Sequence, residues 1–233
     1  MFWFLNFAGI PGAQLWNDDS DEYLERITCS FDRGHARSTR RWQPAVFREE
    51  SKLDQAINPL FDALSTPRPS FVFRDSVFAA LSRAGLTGWL RNPVHIRQES
   101  GRVDETFGEL WINGFAGIAG PHSGCRLIWR CRTCGDTHYE PGFVVAKGFD
   151  ESQWDGSDFF TFWPLANYRF CTDRAKRVLE GFHVEEIRFR RVDELTKPLQ
   201  IYGDSRIPPF YKPEARAAIE RFWSEAPPAP PPA

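Results

Sequence analysis

The sequence predicts an α+β protein in which two strand–helix–strand units flank a glycine-rich central segment of short strands. Two stretches, 71–97 and 168–192, pass from alternating aromatic residues to a helical spacing and back to alternation. The stretch between them, 101–148, is rich in glycine and offers only short apolar runs. Helices that alternate with strands in this way are typical of mixed sheet architectures.

The first unit begins with alternating aromatics from Phe71, and Asp75 is its candidate helix cap. Gly85 is placed to end the helix in the left-handed conformation, and a strand over Val94–Arg97 follows. In the second unit, Thr172 and Gly181 occupy the same two helix-end positions, and a strand over Glu186–Val192 follows. The central segment offers strand candidates over Glu109–Ile112, Arg126–Trp129 and Gly142–Val145. A weak internal repeat therefore relates the two units.

The chain length of 233 residues suits one large domain or two small ones. We expect an N-terminal segment, 1–66, packed on the main body, with a strand near the start and a helix over 51–64. An α+β body follows over 67–225. The last residues, 226–233, include five prolines, which cannot donate ladder hydrogen bonds, so this tail is expected to be disordered.

Composition excludes several protein classes. Hydrophobic residues make up 42% of the chain and charged residues 26%, which argues against a disordered, collagen-like or coiled-coil protein. A net charge of −2 disfavours general nucleic-acid binding. No stretch approaches the ~20 apolar residues of a membrane span, and the apolar start lacks the basic flank of a signal peptide. We expect a cytoplasmic protein that is not in a membrane.

One cluster carries metal-ligand chemistry. His122, Cys125, Cys131 and Cys134 have the spacing H-x2-C-x5-C-x2-C, and Gly135 follows. Two thiolates three residues apart can hold one ion on a tight turn, and four nitrogen and sulfur donors satisfy a tetrahedral structural zinc. The sequence therefore predicts a zinc knuckle within 122–134.

Other interpretations of these residues remain open. Cys125 can be a buried thiol and the Cys131–Cys134 pair idle, or the pair can be a redox motif, although redox pairs favour a helix N-terminus. His138 is a substitute ligand if His122 is not one. Cys29 and His35 can form a second site, or serve as a core thiol and a surface imidazole.

The acidic loops at 18–25 and 150–158 are the candidate partner-binding surface. Asp150, Glu151, Asp155 and Asp158 surround Trp154 and combine negative charge with an aromatic anchor. The same carboxylates could serve as an acid–base pair in a small hydrolase-like enzyme, or they could be a solvated loop. No nucleophile elbow, phosphate-binding loop, dinucleotide fingerprint or zinc-protease motif occurs, so we predict a protein that is not an enzyme.

A third interpretation is a zinc-ribbon-like nucleic-acid-binding module. Its candidate phosphate contacts are Arg188, Arg190 and Arg191. Ile187 and Phe189 alternate with these arginines, so the arginines equally suit the solvent face of a strand. Nucleic acid is the less favoured partner because of the negative net charge.

The Cys/His cluster, the run Asp158–Arg174 and the run Ala80–Gly88 together resemble the double-CXXCG-motif proteins. These are bacterial proteins, notably myxobacterial, grouped with the immunity proteins of toxin–immunity systems. The resemblance covers about 70–192 and implies a non-enzymatic cytoplasmic antidote that binds and neutralises a cognate toxin. This chain departs from the family in lacking the N-terminal CXXCG, since only Cys29 lies in the early region.

Overall fold

The computed structural model describes residues 1–7, 15–17, 24–27, 29–32, 37–40, 45–49, 63–64, 71–97, 101–140, 142–182, 187–199 and 206–229. Over these ranges the protein is a mixed α/β fold, mostly sheet with a few helices. The α+β class predicted from the sequence is confirmed at this level. None of the helices described is long and apolar enough to cross a membrane.

The strands, in chain order, are β1 (Phe2–Phe7), β2 (Leu15–Asn17), β3 (Leu24–Ile27), β4 (Arg37–Arg40), β5 (Ala45–Glu49), β6 (Ala63–Leu64), β7 (Val72–Arg74), β8 (Trp89–Arg97), β9 (Val103–Ile112), β10 (Phe115–Ile118), β11 (Leu127–Arg130), β12 (Thr137–Tyr139), β13 (Phe159–Trp163), β14 (Arg169–Thr172) and β15 (Ile187–Arg191). The helices are α1 (Asp75–Arg83), α2 (Val145–Gly148), α3 (Asp173–Leu179) and α4 (Pro213–Ser224). Short 3-10 turns lie at Pro121–Ser123, Glu151–Gln153 and Val192–Glu194.

Two larger sheets and two hairpins organise these strands. One sheet has the order β10-β13-β14-β1-β15, and the other has the order β2-β5-β8-β9-β7-β6. The strands β3 and β4 form one hairpin, and β11 and β12 form the other. The second hairpin carries Cys131 and Cys134 in its turn.

The two strand–helix–strand stretches share one local topology. In the first, α1 connects β7 to β8, and both strands pair antiparallel with β9, which lies between them. In the second, α3 connects β14 to β15, and both pair antiparallel with β1. In the first unit the middle strand is β9, which follows the unit in the sequence. In the second unit the middle strand is β1, which comes from the start of the chain. The strand β1, in the segment predicted over 1–66, therefore lies within the sheet of the second unit.

Helix ends differ between the units. The Thr172 hydroxyl accepts a hydrogen bond from the Ala175 N–H at 3.3 Å, as expected of an N-cap. Asp75 is not a cap: it is the first helical residue and forms an ion pair with Arg91 at 2.7 Å. Gly85 has φ +61° and ends α1 in the left-handed region. Gly181 does not adopt a positive φ, so its predicted role is wrong.

The cores join the sheets into one body. One core packs the buried faces of α1 and α3 together, with Leu81, Ala175 and Leu179 fully buried. A second, aromatic core surrounds Phe160 and Phe170, whose rings stack at 5.8 Å. The helix α4 packs on β10 and β13 through a third cluster. Burial of so many large side chains supplies the main driving force for folding.

Three local predictions are corrected. Residues 63–64, the end of the predicted helix over 51–64, form β6 instead, and the rest of that helix lies outside the described residues. The predicted strand Gly142–Val145 gives way to an isolated bridge at Phe143 and the short helix α2. Residues 226–229 of the tail are ordered against β11: the Arg130 N–H donates to the Pro227 carbonyl at 2.9 Å.

Candidate metal centre

Three cysteines from two distant parts of the chain come together. Cys29 follows β3, whereas Cys131 and Cys134 lie in the turn between β11 and β12. Their three Sγ atoms all lie within 4.8 Å of one another. Cys29 and Cys131, 102 residues apart in sequence, have Sγ atoms 3.7 Å apart. Both are buried, and Cys134 is half-buried.

The hairpin turn holds the second pair in place. The Cys131 N–H donates to the Asp136 carbonyl at 2.7 Å, and the Gly135 N–H donates to the Cys131 carbonyl at 2.9 Å. Gly135 has φ +77°, a conformation that strains any residue with a Cβ. The backbone of Asp136 also hydrogen-bonds the Cys134 thiol, an interaction that favours the thiolate. The turn is therefore shaped to present two sulfurs to one point.

One of the three sulfur–sulfur separations matches the geometry of a tetrahedral zinc ion. With zinc–sulfur distances of about 2.3 Å, two sulfurs on one tetrahedral ion lie about 3.8 Å apart, and the observed Cys29–Cys131 separation is 3.7 Å. An S–S bond is much shorter, about 2.05 Å, and the cysteines are free thiols here. A bound zinc would join the segment after β3 to the β11–β12 hairpin.

Electrostatics separate the metal interpretation from the redox one. Burial, with hydrogen bonds to Cys29 and Cys131, raises the pKa of Cys134 to about 11, against the opposing hydrogen bond from Asp136. A redox-active cysteine needs a lowered pKa, and a helix N-terminus commonly supplies it. This pair lies in a turn between strands. A metal, in contrast, binds such thiols by displacing their protons.

The structure groups different side chains from those that the sequence spacing suggests. His122 lies exposed on a 3-10 turn. Cys125 is buried in the aromatic core, where desolvation raises its pKa to about 12. Neither residue belongs to the group of three neighbouring sulfur atoms, whose third member is Cys29. His138, the substitute ligand, stacks on Trp129 with ring centroids 5.5 Å apart. His35 lies outside the described residues.

The predicted partner-binding residues have structural contacts. Asp150 caps a 3-10 turn by accepting from the Ser152 N–H at 3.0 Å. Glu151 is exposed. Trp154 is half-buried against Phe2 and Phe160, and its Nε1–H donates to the Ser157 carbonyl at 2.9 Å.

Two acidic residues of this loop connect elements of the fold. Asp155 pairs with Lys212, at the start of α4, at 2.6 Å. Asp158 is buried and accepts from the Thr87 N–H at 3.0 Å and from the Thr172 hydroxyl at 2.9 Å. Its carboxylate therefore links the loop after α1 to the start of α3, and it is not an exposed contact. Asp150, Glu151 and Asp155 are exposed, and Asp155 is neutralised by its ion pair with Lys212.

The arginines of β15 divide into two kinds. Arg191 forms ion pairs with Asp193 and Glu194 just beyond the strand. Arg188 and Arg190 are exposed and alternate with the buried Ile187, as the sequence predicts. A small surface pocket elsewhere is lined by aromatic and polar groups, among them Trp111, Arg169 and Tyr211, and its described lining includes no carboxylate.

No protein-family model matches this chain, and no curated protein matches it.

Proposed function

We propose that this protein is a non-enzymatic binding protein, stabilised by a structural zinc, that neutralises a cognate bacterial toxin. The observation that carries the zinc is the meeting of Cys29, Cys131 and Cys134. The toxin-binding activity is what the motif resemblance implies. Both parts suit a cytoplasmic antidote, which needs a stable scaffold and a recognition surface.

The acidic loop offers a smaller recognition surface than its sequence suggests. Asp150 and Glu151 carry exposed charge, whereas Asp155 and Asp158 are engaged within the fold. Exposed carboxylates can steer association with a basic toxin surface. Two of these carboxylates have partners within the fold: Asp158 accepts hydrogen bonds from Thr87 and Thr172, and Asp155 is held by Lys212. This arrangement favours binding over the hydrolase-like alternative.

The test of the function is a pull-down with the product of the neighbouring gene, followed by co-expression. We expect the neighbour to stop growth alone, the two proteins to co-purify, and co-expression to restore growth. A neighbour that is harmless alone and does not co-purify would contradict the proposal. Charge reversal by Asp150→Lys with Glu151→Lys should slow association, because it removes the steering charge. The matched control is Glu220→Lys, an exposed reversal on α4.

A further inference from the structure

We propose that residues 223–229 form a latch that positions Cys131 in the metal centre, so that metal binding and closure of the latch favour each other. The inference rests on the structural zinc proposed above. Arg130, which directly precedes Cys131, carries it, because the tail binds both of its backbone polar groups. The Arg130 N–H donates to the Pro227 carbonyl at 2.9 Å, and the Arg130 carbonyl accepts from the Ala229 N–H at 3.2 Å.

The spacing of the prolines limits the tail contact to a single residue of β11. Residues 227, 228 and 230–232 are prolines, so Ala229 is the one residue within 227–232 that has a backbone N–H. This N–H donates to the Arg130 carbonyl, and the bridge between Arg130 and Pro228 is isolated. A contact of two hydrogen bonds can open locally while the surrounding sheets stay folded. The latch can therefore be open or closed in a folded chain.

Side chains connect the same residue of β11 to the body of the protein. The Arg130 guanidinium lies over the Trp223 ring, 4.3 Å from its centroid, where the ring face attracts the positive charge. Trp223 is buried and packs edge-on against Trp163 of β13, with ring centroids 5.3 Å apart. Leu127, at the start of β11, packs against the same cluster. The last turn of α4 and the tail therefore hold the first strand of the hairpin from one side.

The peptide unit between Arg130 and Cys131 connects the latch to the metal centre. Its carbonyl accepts from Ala229 of the tail, and its N–H, which belongs to Cys131, donates to the Asp136 carbonyl at 2.7 Å. The orientation of this peptide is therefore set from both sides, next to the residue whose sulfur lies 3.7 Å from that of Cys29. A ligand that is already in place loses less conformational freedom when the metal binds. By linkage, a latch that strengthens metal binding is itself strengthened by the metal to the same extent.

Removal of one hydrogen bond tests the latch by zinc competition against a chelator. Ala229→Pro deletes the N–H donor, and we expect zinc affinity to fall by about two- to tenfold, the range for one lost hydrogen bond. The matched control, Ala229→Ser, keeps the N–H and should bind zinc like the wild type. At saturating cobalt, Ala229→Pro should keep the wild-type sulfur-to-cobalt absorbance per ion, because Ala229 is not a ligand. Unchanged zinc affinity in Ala229→Pro, an equal loss in Ala229→Ser, or a lower cobalt absorbance would overturn the proposal.

Hydrogen exchange in the wild-type chain supplies the reciprocal test, which needs no variant. We expect zinc to slow exchange at the Ala229 amide by about two- to tenfold, because the metal favours the closed latch. The Glu180 N–H, which donates to the Lys176 carbonyl at the end of α3, is the internal control and should exchange equally with and without zinc. Equal exchange at Ala229 in a chain that binds zinc would overturn the latch alone. A wild-type protein that takes up no zinc would instead overturn the metal centre on which the latch rests.

Discussion

At the scale of single residues, one buried carboxylate, that of Asp158, links the two strand–helix–strand units. It joins Thr87 after α1 to Thr172 before α3 and also pairs with Arg174 at 3.4 Å. Arg174 in turn donates to the Gly85 carbonyl at 3.0 Å. Polar groups of both units thus meet on one carboxylate. The sequence places Asp158 beside an exposed acidic cluster and gives no sign that it is buried.

Replacement of Asp158 by asparagine tests this role. Asp158→Asn keeps the shape but loses the charge, so the threonine and arginine donors lose a strong acceptor. We expect the free energy of unfolding to fall by about 1–3 kcal/mol, measured by denaturant titration. The control is Glu151→Gln in the same loop, where exposed substitutions stay within about 0.5 kcal/mol. Equal stability of the two variants would show that Asp158 does not link the units.

Asp155 makes stability depend on pH. Burial raises the pKa of Asp155, but hydrogen bonds from Lys212 and Ser157 outweigh it, so the folded-state pKa lies below the usual value. A carboxyl with a depressed pKa stabilises the fold above its unfolded pKa of about 3.9 and loses that contribution as pH falls through the folded value. Thermal melts of Asp155→Asn should lose less stability than wild type on acidification. Parallel pH profiles would contradict this expectation.

At the scale of elements, residues 227–229 of the proline-rich tail form an isolated bridge with β11. The Arg130 N–H donates to the Pro227 carbonyl, and the Ala229 N–H donates to the Arg130 carbonyl at 3.2 Å. The Arg130 guanidinium also lies over the Trp223 ring, 4.3 Å from its centroid. The tail therefore covers the edge of β11 that faces away from β12.

Hydrogen exchange at Arg130 tests the tail contact. Truncation after Glu225 removes the acceptor of the Arg130 N–H, so this amide should exchange faster than in the full chain. The Glu140 N–H, which donates to the Arg126 carbonyl within the hairpin, is the internal control and should keep its protection. Unchanged exchange at Arg130 after truncation would mean that the tail does not pair with β11.

Sequence patterns predict the local elements of this fold better than its long-range contacts. Alternation and helical spacing locate β7, α1, β14, α3 and β15, because these signals are local. The pairing of residues 226–229 with β11 was not predicted, because proline excludes only the donor side of a ladder and the Pro227 carbonyl still accepts. The insertion of β1 between β14 and β15 joins residues far apart in sequence, and no local pattern encodes such pairing.

At the scale of the whole molecule, the cysteine site also depends on a long-range contact that local sequence patterns do not encode. The Cys131–Cys134 turn is recognisable from its spacing and from Gly135. The third sulfur of the close group belongs to Cys29, 102 residues away in sequence, whereas the nearby Cys125 lies in the core. Spacing along the sequence does not reveal this long-range grouping. The one available signal was that Cys29 is the only cysteine before residue 125.

Substitutions in the core should lower stability whether or not a metal is bound. Phe170 is fully buried and contacts the rings of both Phe160 and Phe162. Phe170→Ala should lower the free energy of unfolding by about 3–5 kcal/mol, because it removes apolar contacts and leaves a cavity. This loss should persist in the presence of chelator. A cost below about 1 kcal/mol in denaturant unfolding would contradict the packing described for this core.

Zinc content of purified cysteine variants tests the central claim most directly. We expect close to one zinc per chain in the wild type, and a loss of bound zinc and of melting temperature in Cys29→Ser, because binding energy at such a site is folding energy. Cys125→Ala and His122→Ala should keep their zinc. A Cys29→Ser protein that retains full zinc while Cys125→Ala and His122→Ala lose it would contradict the account and restore the ligand set suggested by spacing alone.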